Sequence, residues 1–198
     1  NKSVLNSILH KSDQIKNTIV NTGQHYSFNM SDVFFDEMSS VNPDYNLKIG
    51  GYSNNEMTAK MIIEIDKIIL IEKPEYTIVY GDTNSTLAGA ISAKKNNIKL
   101  IHIEAGLRSF DSNMQEEINR IITDRISDVL FCPTEISFKN LIEEGYLKFN
   151  SKIEVVGDVM LDVFKKYYPY RKCPDVKIED DFIFATIHRA ENTDNQES

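Results

Sequence analysis

Apolar and polar positions along this chain alternate between two periods. Short runs rich in β-branched and aromatic residues, at 76–80, 99–103, 129–131 and 153–156, are each followed by a stretch whose apolar residues recur three and four apart. Those stretches predict helices over about 85–95, 115–127, 134–144 and 159–167. An earlier one, 58–72, sets Met61, Ile62, Ile65, Ile68 and Ile69 on one stripe and is closed by Lys73-Pro74. Strand then helix, repeated, predicts βαβ units around a parallel sheet with right-handed crossovers. Upstream, 3–10 reads as the tail of a helix, 15–20 as a strand, 30–38 as a helix and Asn42-Pro43-Asp44 as a turn. The alternation breaks at 168–181, which reads as a linker, and 182–187 reads as a new strand. The expected fold is α/β: a Rossmann-like domain over 1–167 without its first strand, a linker over 168–181, and the first strand of a second domain within 182–198. The chain is thus expected to be part of a longer two-domain protein.

Composition narrows the partners. The 198 residues carry a formal charge of -8 with no basic stripe, which argues against nucleic acid. Lys165, Lys166, Arg171 and Lys172 form only a loose group, expected on a solvated linker face. No apolar run reaches the length of about 18 residues that a membrane helix needs, and the opening Asn1-Lys2-Ser3-Val4-Leu5 does not read as a signal peptide. Cys132 and Cys173 have no metal-ligand spacing, and the histidines (His10, His25, His102, His188) do not cluster. A reduced, cytoplasmic protein without structural zinc or other metal is expected, with Cys132 a small buried hydrophobe.

Candidate chemistry gathers where strands end. Asp82, after 76–80, and Glu104, after 99–103, each follow an apolar run. Parallel sheets bind ligands outside the carboxyl ends of their strands, so the two carboxylates are expected in one crevice. Carboxylates sharing a cavity raise each other's pKa and can divide into an acid and a base. Gly81 permits close backbone approach, and Thr83, Asn84 and Ser85 make a polar helix start where N–H groups can meet an anion, which points to a phosphorylated substrate. Two structural alternatives stay open: Asp82 as a cap for the next helix, and Glu104 as the partner of Arg108.

Farther along, Glu116, Asn119 and Arg120 share a face of the predicted 115–127 helix, with Glu116 suited to its N-terminal dipole. A solvated amphipathic surface would explain the same pattern, and Asp124 and Arg125 are expected on that surface. His188-Arg189 suits a diphosphate, with Glu191 or Asn192 able to cap a following helix. Gly23-Gln24-His25 follows the 15–20 run and opens on the same edge, either as a ligand contact or as a helix cap. Tyr167, Tyr168 and Tyr170 are expected as core or linker packing.

Together these segments resemble the UDP-N-acetylglucosamine 2-epimerase family of the non-hydrolysing type. The matching segments are TGQH at 22–25, YGDTNSTLAGA at 80–90, HIEAGLRS at 102–109, EEINR at 116–120, FCPTE at 131–135, VGDVMLD at 156–162 and HRAEN at 188–192, in family order over nearly the whole chain. The resemblance implies a glycosyltransferase-B-like fold, two Rossmann-like domains with the active site between them. It implies interconversion of UDP-GlcNAc and UDP-ManNAc at C2, by elimination and re-addition of UDP through 2-acetamidoglucal, with no cofactor. It implies Asp82, Glu104, Glu116 and His188 as catalytic residues, and Arg108, Asn119, Arg120, Arg189, Glu191 and Asn192 against the substrate. Gln24 and His25 match positions that bind a second, regulatory UDP-GlcNAc. A homodimer of the full-length protein and a place in surface-polysaccharide synthesis are implied as well. The family's phosphate loop at its first strand is absent, as are the C-terminal loops that hold uridine, so this chain alone is expected to be a poor or inactive enzyme. Gln115 also stands where a proline usually precedes the two glutamates. Two other readings remain: a hydrolysing relative that releases ManNAc and UDP, and a non-catalytic nucleotide-sugar binding module.

Overall fold

The computed structural model describes residues 14–24, 42–172, 181–183 and 185. The elements expected at 3–10 and 30–38, together with His25, Cys173, His188, Arg189, Glu191 and Asn192, lie outside the described residues. In chain order the described elements are β1 (Val20–Asn21), β2 (Tyr45–Asn46), α1 (Asn54–Glu72), β3 (Tyr76–Tyr80), α2 (Asn84–Lys95), β4 (Lys99–Ile103), α3 (Gln115–Ile126), β5 (Val129–Cys132), α4 (Glu135–Glu143), β6 (Lys152–Val155) and α5 (Val159–Tyr167). Single 3₁₀ turns follow α4 at Tyr146–Lys148 and α5 at Tyr168–Tyr170.

Strands β3 to β6 form one parallel sheet, as the alternation predicts, and they lie in it in sequential order. One row crosses all of it: Val79 opposite His102, His102 opposite Leu130, Leu130 opposite Ile153. This register brings the carboxyl ends of the strands to a common edge, where Gly81-Asp82, Glu104 and the segment before Asp158 emerge. The helices start where side chains can hold their first turns. Thr83 and Thr86 form a reciprocal capping box for α2, Thr134 and Ser137 do the same for α4, and Asp158 caps α5 through the Met160 N–H. α1 begins at Asn54 rather than 58 because Ser53 accepts from the Glu56 N–H, and it ends where Lys73 turns left-handed ahead of Pro74. No described helix is long and apolar enough to cross a membrane.

Among the described residues the core has three parts. Met57, Met61, Ile65 and Ile69 of α1 meet Ala88 of α2. Ala90 and Ala93 of α2 lie over Val79 and Leu100, where small side chains bring helix and sheet close. Leu130, Cys132, Leu141, Tyr146 and Ala105 pack on the far side. Burying a leucine fully contributes about 1.5–3 kcal/mol relative to leaving it exposed, so Leu100, Leu130 and Leu141, all at 0%, are major contributors. Cys132 is the buried small residue expected, and burial pushes its thiol up to about 11. Tyr168 and Tyr170 lie exposed after α5, with the Tyr168 ring against Phe164.

One expected strand is corrected. The strand placed at 15–20 contracts to Val20–Asn21, paired in parallel with Tyr45–Asn46. The Asp44 carboxylate takes the Ile19 N–H at 2.7 Å, while the Ile19 carbonyl accepts from Asp44 and Tyr45, so the ladder cannot run farther back. Of the strand placed at 182–187, Phe184, Thr186 and Ile187 lie outside the described residues, and Phe182 and Ile183 are exposed.

Candidate active site

Asp82 and Glu104 meet at the edge of β3 and β4. A Cβ at Gly81 would stand 3.2 Å from Glu104 Oε2, so the Glu104 carboxylate lies directly over the turn that carries Asp82. Glu104 itself adopts φ 74°, a left-handed conformation that is strained for a residue with a side chain. Its carboxylate is half-buried and accepts no hydrogen bond among the described residues. Burial, reinforced by the nearby Asp158 and Asp82 carboxylates, pushes its pKa above the usual range, against a smaller opposing effect of His102.

Asp82 is held from three sides. Arg120 reaches Oδ2 with Nη2 at 2.7 Å and Nε at 3.1 Å, Asn119 donates to the Asp82 carbonyl at 2.8 Å, and His102 Nε2 lies 2.8 Å from the preceding Gly81 carbonyl. Oδ1 is left without a protein partner among the described residues. Neither structural alternative describes these carboxylates: Thr83 caps α2, and Arg108 pairs with Asp124 and Glu144 rather than with Glu104.

The expected site residues on α3 divide. Asn119 and Arg120 face Asp82, but Glu116 is exposed and it is Glu117, 2% exposed, that pairs with Arg120 at 2.8 Å. Glu117 also accepts from the Ser109 N–H and hydroxyl and from the Phe110 N–H, which ties the loop after Glu104 to the helix. Asp124, expected on a solvated surface, is fully buried: it accepts from His102 Nδ1, Gly106 N–H and Arg108 Nη1. Arg125 does lie exposed, stacked over the Phe149 ring. Arg108, expected against substrate, has a side chain 1% exposed whose guanidinium grips Glu144 with Nε and Nη2 as well as Asp124. Sequence reasoning missed Glu117 and Asp124, although Glu117, Arg120 and Asp124 recur at helical spacing.

The polar start of α2 is satisfied from within the chain. The Gln24 side-chain oxygen accepts from Ser85 N–H and Oγ, Thr22 and Ser85 hydroxyls meet at 2.6 Å, and the Thr86 N–H goes to Thr83. An anion would find fewer free donors there than the sequence suggests. The contact does carry the 22–24 turn to the site edge, with Gln24 acting on the first turn of α2. Among the described residues no three His, Cys, Asp or Glu side chains are grouped to hold a metal.

A family model described as UDP-N-acetylglucosamine 2-epimerase matches residues 7–198. The chain belongs to this family. The UDP-2,3-diacetamido-2,3-dideoxy-D-glucuronate 2-epimerase of Pseudomonas aeruginosa is 48% identical over 195 residues, covering 98% of this chain and 55% of that protein. The UDP-N-acetylglucosamine 2-epimerase of Methanocaldococcus jannaschii is 49% identical over 187 residues, covering 90% of this chain and 50% of that protein. A crystal structure of the M. jannaschii UDP-GlcNAc 2-epimerase in complex with UDP-GlcNAc and UDP matches with a TM-score of 0.78 at 50% identity, over 82% of this chain and 44% of that one. The chain spans about half the length of the curated relatives it matches. Its fold class is that of these 2-epimerases, α/β with a Rossmann-like parallel sheet of the glycosyltransferase-B-like kind.

Within this site, Glu117 sets an acid-sensitive point. Burial alone would raise its carboxyl, but hydrogen bonds from the Ser109 N–H and hydroxyl, Arg120 and the Phe110 N–H outweigh that and hold it below the usual range. The unfolded chain, with Glu near 4.3, therefore binds the extra proton first. The stabilisation is fully present above about pH 4.3 and is lost as the pH falls through the lower folded value. Urea midpoints followed into acid should fall less steeply in Glu117→Gln than in the parent protein. Parallel slopes would mean that the carboxylate is not favoured by folding.

Proposed function

We propose that the full-length protein is a UDP-N-acetylglucosamine 2-epimerase in which Asp82 and Glu104 carry the proton transfers at C2. The observation that supports this most is Glu104: a half-buried carboxylate with a raised pKa, beside a second carboxylate, with no hydrogen-bond partner among the described residues for Glu104 or for Asp82 Oδ1. A base for a weakly acidic C–H must be near the operating pH and within reach of its proton. In the proposed reaction one carboxylate takes the C2 proton, the C–H electrons form the C1=C2 bond, and UDP leaves with the C1–O bonding pair. A proton then returns to C2 on the opposite face, and UDP adds back at C1. The balance needs no oxidant or cofactor.

Arg120 orients Asp82 in this scheme, and His188 and Arg189 are proposed to neutralise the departing diphosphate, with Glu191 and Asn192 as further substrate contacts. Glu116, at the exposed start of α3, is available to the open side of the same cleft. The reading takes 1–167 as a first domain and 182–198 as the beginning of a second. It takes the whole as a homodimeric cytoplasmic isomerase, with Gln24 and His25 beside a second nucleotide. A second substrate is favoured by one observation: the Pseudomonas aeruginosa relative, 48% identical over 98% of this chain, is named for UDP-2,3-diacetamido-2,3-dideoxy-D-glucuronate.

Proton NMR of UDP-GlcNAc in D₂O with the full-length protein tests the proposal. UDP-ManNAc carrying deuterium at C2 is expected. Free ManNAc with UDP would replace it by a hydrolysing reaction. A persistent C2 proton on UDP-GlcNAc, with exchange on the diacetamido glucuronate, would move the assignment to that sugar. Persistence on both, with UDP still bound, would leave a binding module.

A further inference from the structure

Behind the two carboxylates is a buried group that the proposed chemistry does not use. Asp124 projects from α3 and is 0% exposed, as is His102 in the central row of the sheet. Asp124 Oδ1 lies 2.6 Å from His102 Nδ1, and Oδ2 accepts from the Gly106 N–H at 3.1 Å and from Arg108 Nη1 at 2.7 Å. One carboxylate thus holds the residue two before Glu104, the residue two after it and the arginine beyond, bracketing the strained φ of 74° at Glu104. The other ring nitrogen of His102, Nε2, faces the Gly81 carbonyl at 2.8 Å. A carbonyl can only accept, so Nε2 carries a proton, while Nδ1 meets the Asp124 carboxylate. His102 therefore connects Asp124 to the turn that carries Asp82.

We propose that Asp124 is the positioning residue of this site, acting through His102, Gly106 and Arg108 to hold the Glu104 and Gly81-Asp82 turns in one fixed arrangement. The role rests on the reading of Asp82 and Glu104 as the proton-transfer groups. It differs from a packing role because Asp124 touches neither carboxylate and yet fixes the backbone on which each is mounted. Small displacements of reacting groups are costly in rate, about 100-fold for 1 Å.

The test uses the full-length protein with Asp124→Asn, His102→Asn and His102→Gln. Asn at 102 keeps a donor toward Asp124 and loses the Gly81 carbonyl, whereas Gln keeps a donor toward Gly81 and loses Asp124. Each variant is expected to lower kcat by about 100-fold with KM and UDP affinity nearly unchanged. The double variant Asp124→Asn with His102→Gln should lose no more than the worse single, since both break one chain of contacts. A merely structural role would reduce the folded fraction and leave kcat per UDP-binding site intact in all of them, which would overturn the proposal.

A second readout does not need turnover: the ¹³C titration of the Glu104 carboxyl, assigned with Glu104→Gln. The charged groups around Glu104 are Asp158 at the start of α5, Asp82 at the end of β3 and His102 on β4, of which His102 opposes the rise. Its midpoint should move in Asp124→Asn and His102→Gln, where the backbone that seats it beside Asp158 and Asp82 is released. An unmoved midpoint overturns the positioning role. A parent protein that fails to turn over either sugar overturns the proposed function instead, and the titration still decides the role of Asp124.

Discussion

Asp82→Asn in the full-length protein is expected to slow turnover of the nucleotide sugar by about 100- to 10,000-fold, the range set by loss of a positioned acid or base. UDP affinity should be nearly unchanged. The substitution is isosteric, and an amide oxygen can still accept from Arg120. The Asp82 carbonyl keeps its bond from Asn119, and Arg120 keeps its ion pair with Glu117 at 2.8 Å, so no buried cation is orphaned. Only the capacity to take and return a proton disappears. Rates from NMR and UDP binding by calorimetry separate the possibilities. An unchanged rate removes Asp82 from proton transfer, and a parallel collapse of UDP binding would make it a binding residue instead.

Gly106→Ala is expected to produce the largest loss of stability. Gly106 has φ 76°, and a Cβ there would run into the Ser137 carbonyl of α4 and stand 3.0 Å from Leu141 Cγ. The obstacle is helix backbone, which cannot rotate away as a side chain can. Left-handed strain of about 1–2 kcal/mol adds to overpacking of about 1–3 kcal/mol, for a total near 2–5 kcal/mol. The displaced loop would also pull its N–H from Asp124 and its carbonyl from Asn140. The midpoint of chemical denaturation of the full-length protein reads this, and a loss below about 1 kcal/mol would mean that α4 gives way after all.

The legibility of the site differs between the sheet and α3. β3 at 76–80 and β4 at 99–103 were readable to the residue, because each is a β-branched run bounded by turn residues, and a carboxylate past each end was enough to place Asp82 and Glu104 together. α3 misled the same reasoning. Its isoleucines 118, 121 and 122 are 38–43% exposed in the described structure, while Glu117, Asn119, Thr123 and Asp124 are buried. The rule that polar faces meet water fails on this helix, because its polar face is turned to the strand ends, where Glu117, Asn119 and Asp124 find partners of opposite charge or complementary hydrogen bonding and only the Thr123 hydroxyl has none among the described residues. Burial of such groups depends on residues far away in the chain: Asp124 needs His102, Gly106 and Arg108, and Glu117 needs Ser109, Phe110 and Arg120. The early strand at 15–20 is the converse case, a β-like run shortened because the Asp44 side chain competes for its N–H.

The chain by itself thus determined the βα alternation, the parallel sheet that it builds, and the two carboxylates at its strand ends, because these follow from local periodicity and from where a strand must stop. Only the tertiary structure decided which glutamate of the 116–117 pair turns inward, that Arg108 is an internal clamp, and that a fully buried Asp124 stands behind the site, because an ionised side chain is stable inside only where distant segments bring it compensating donors and charge.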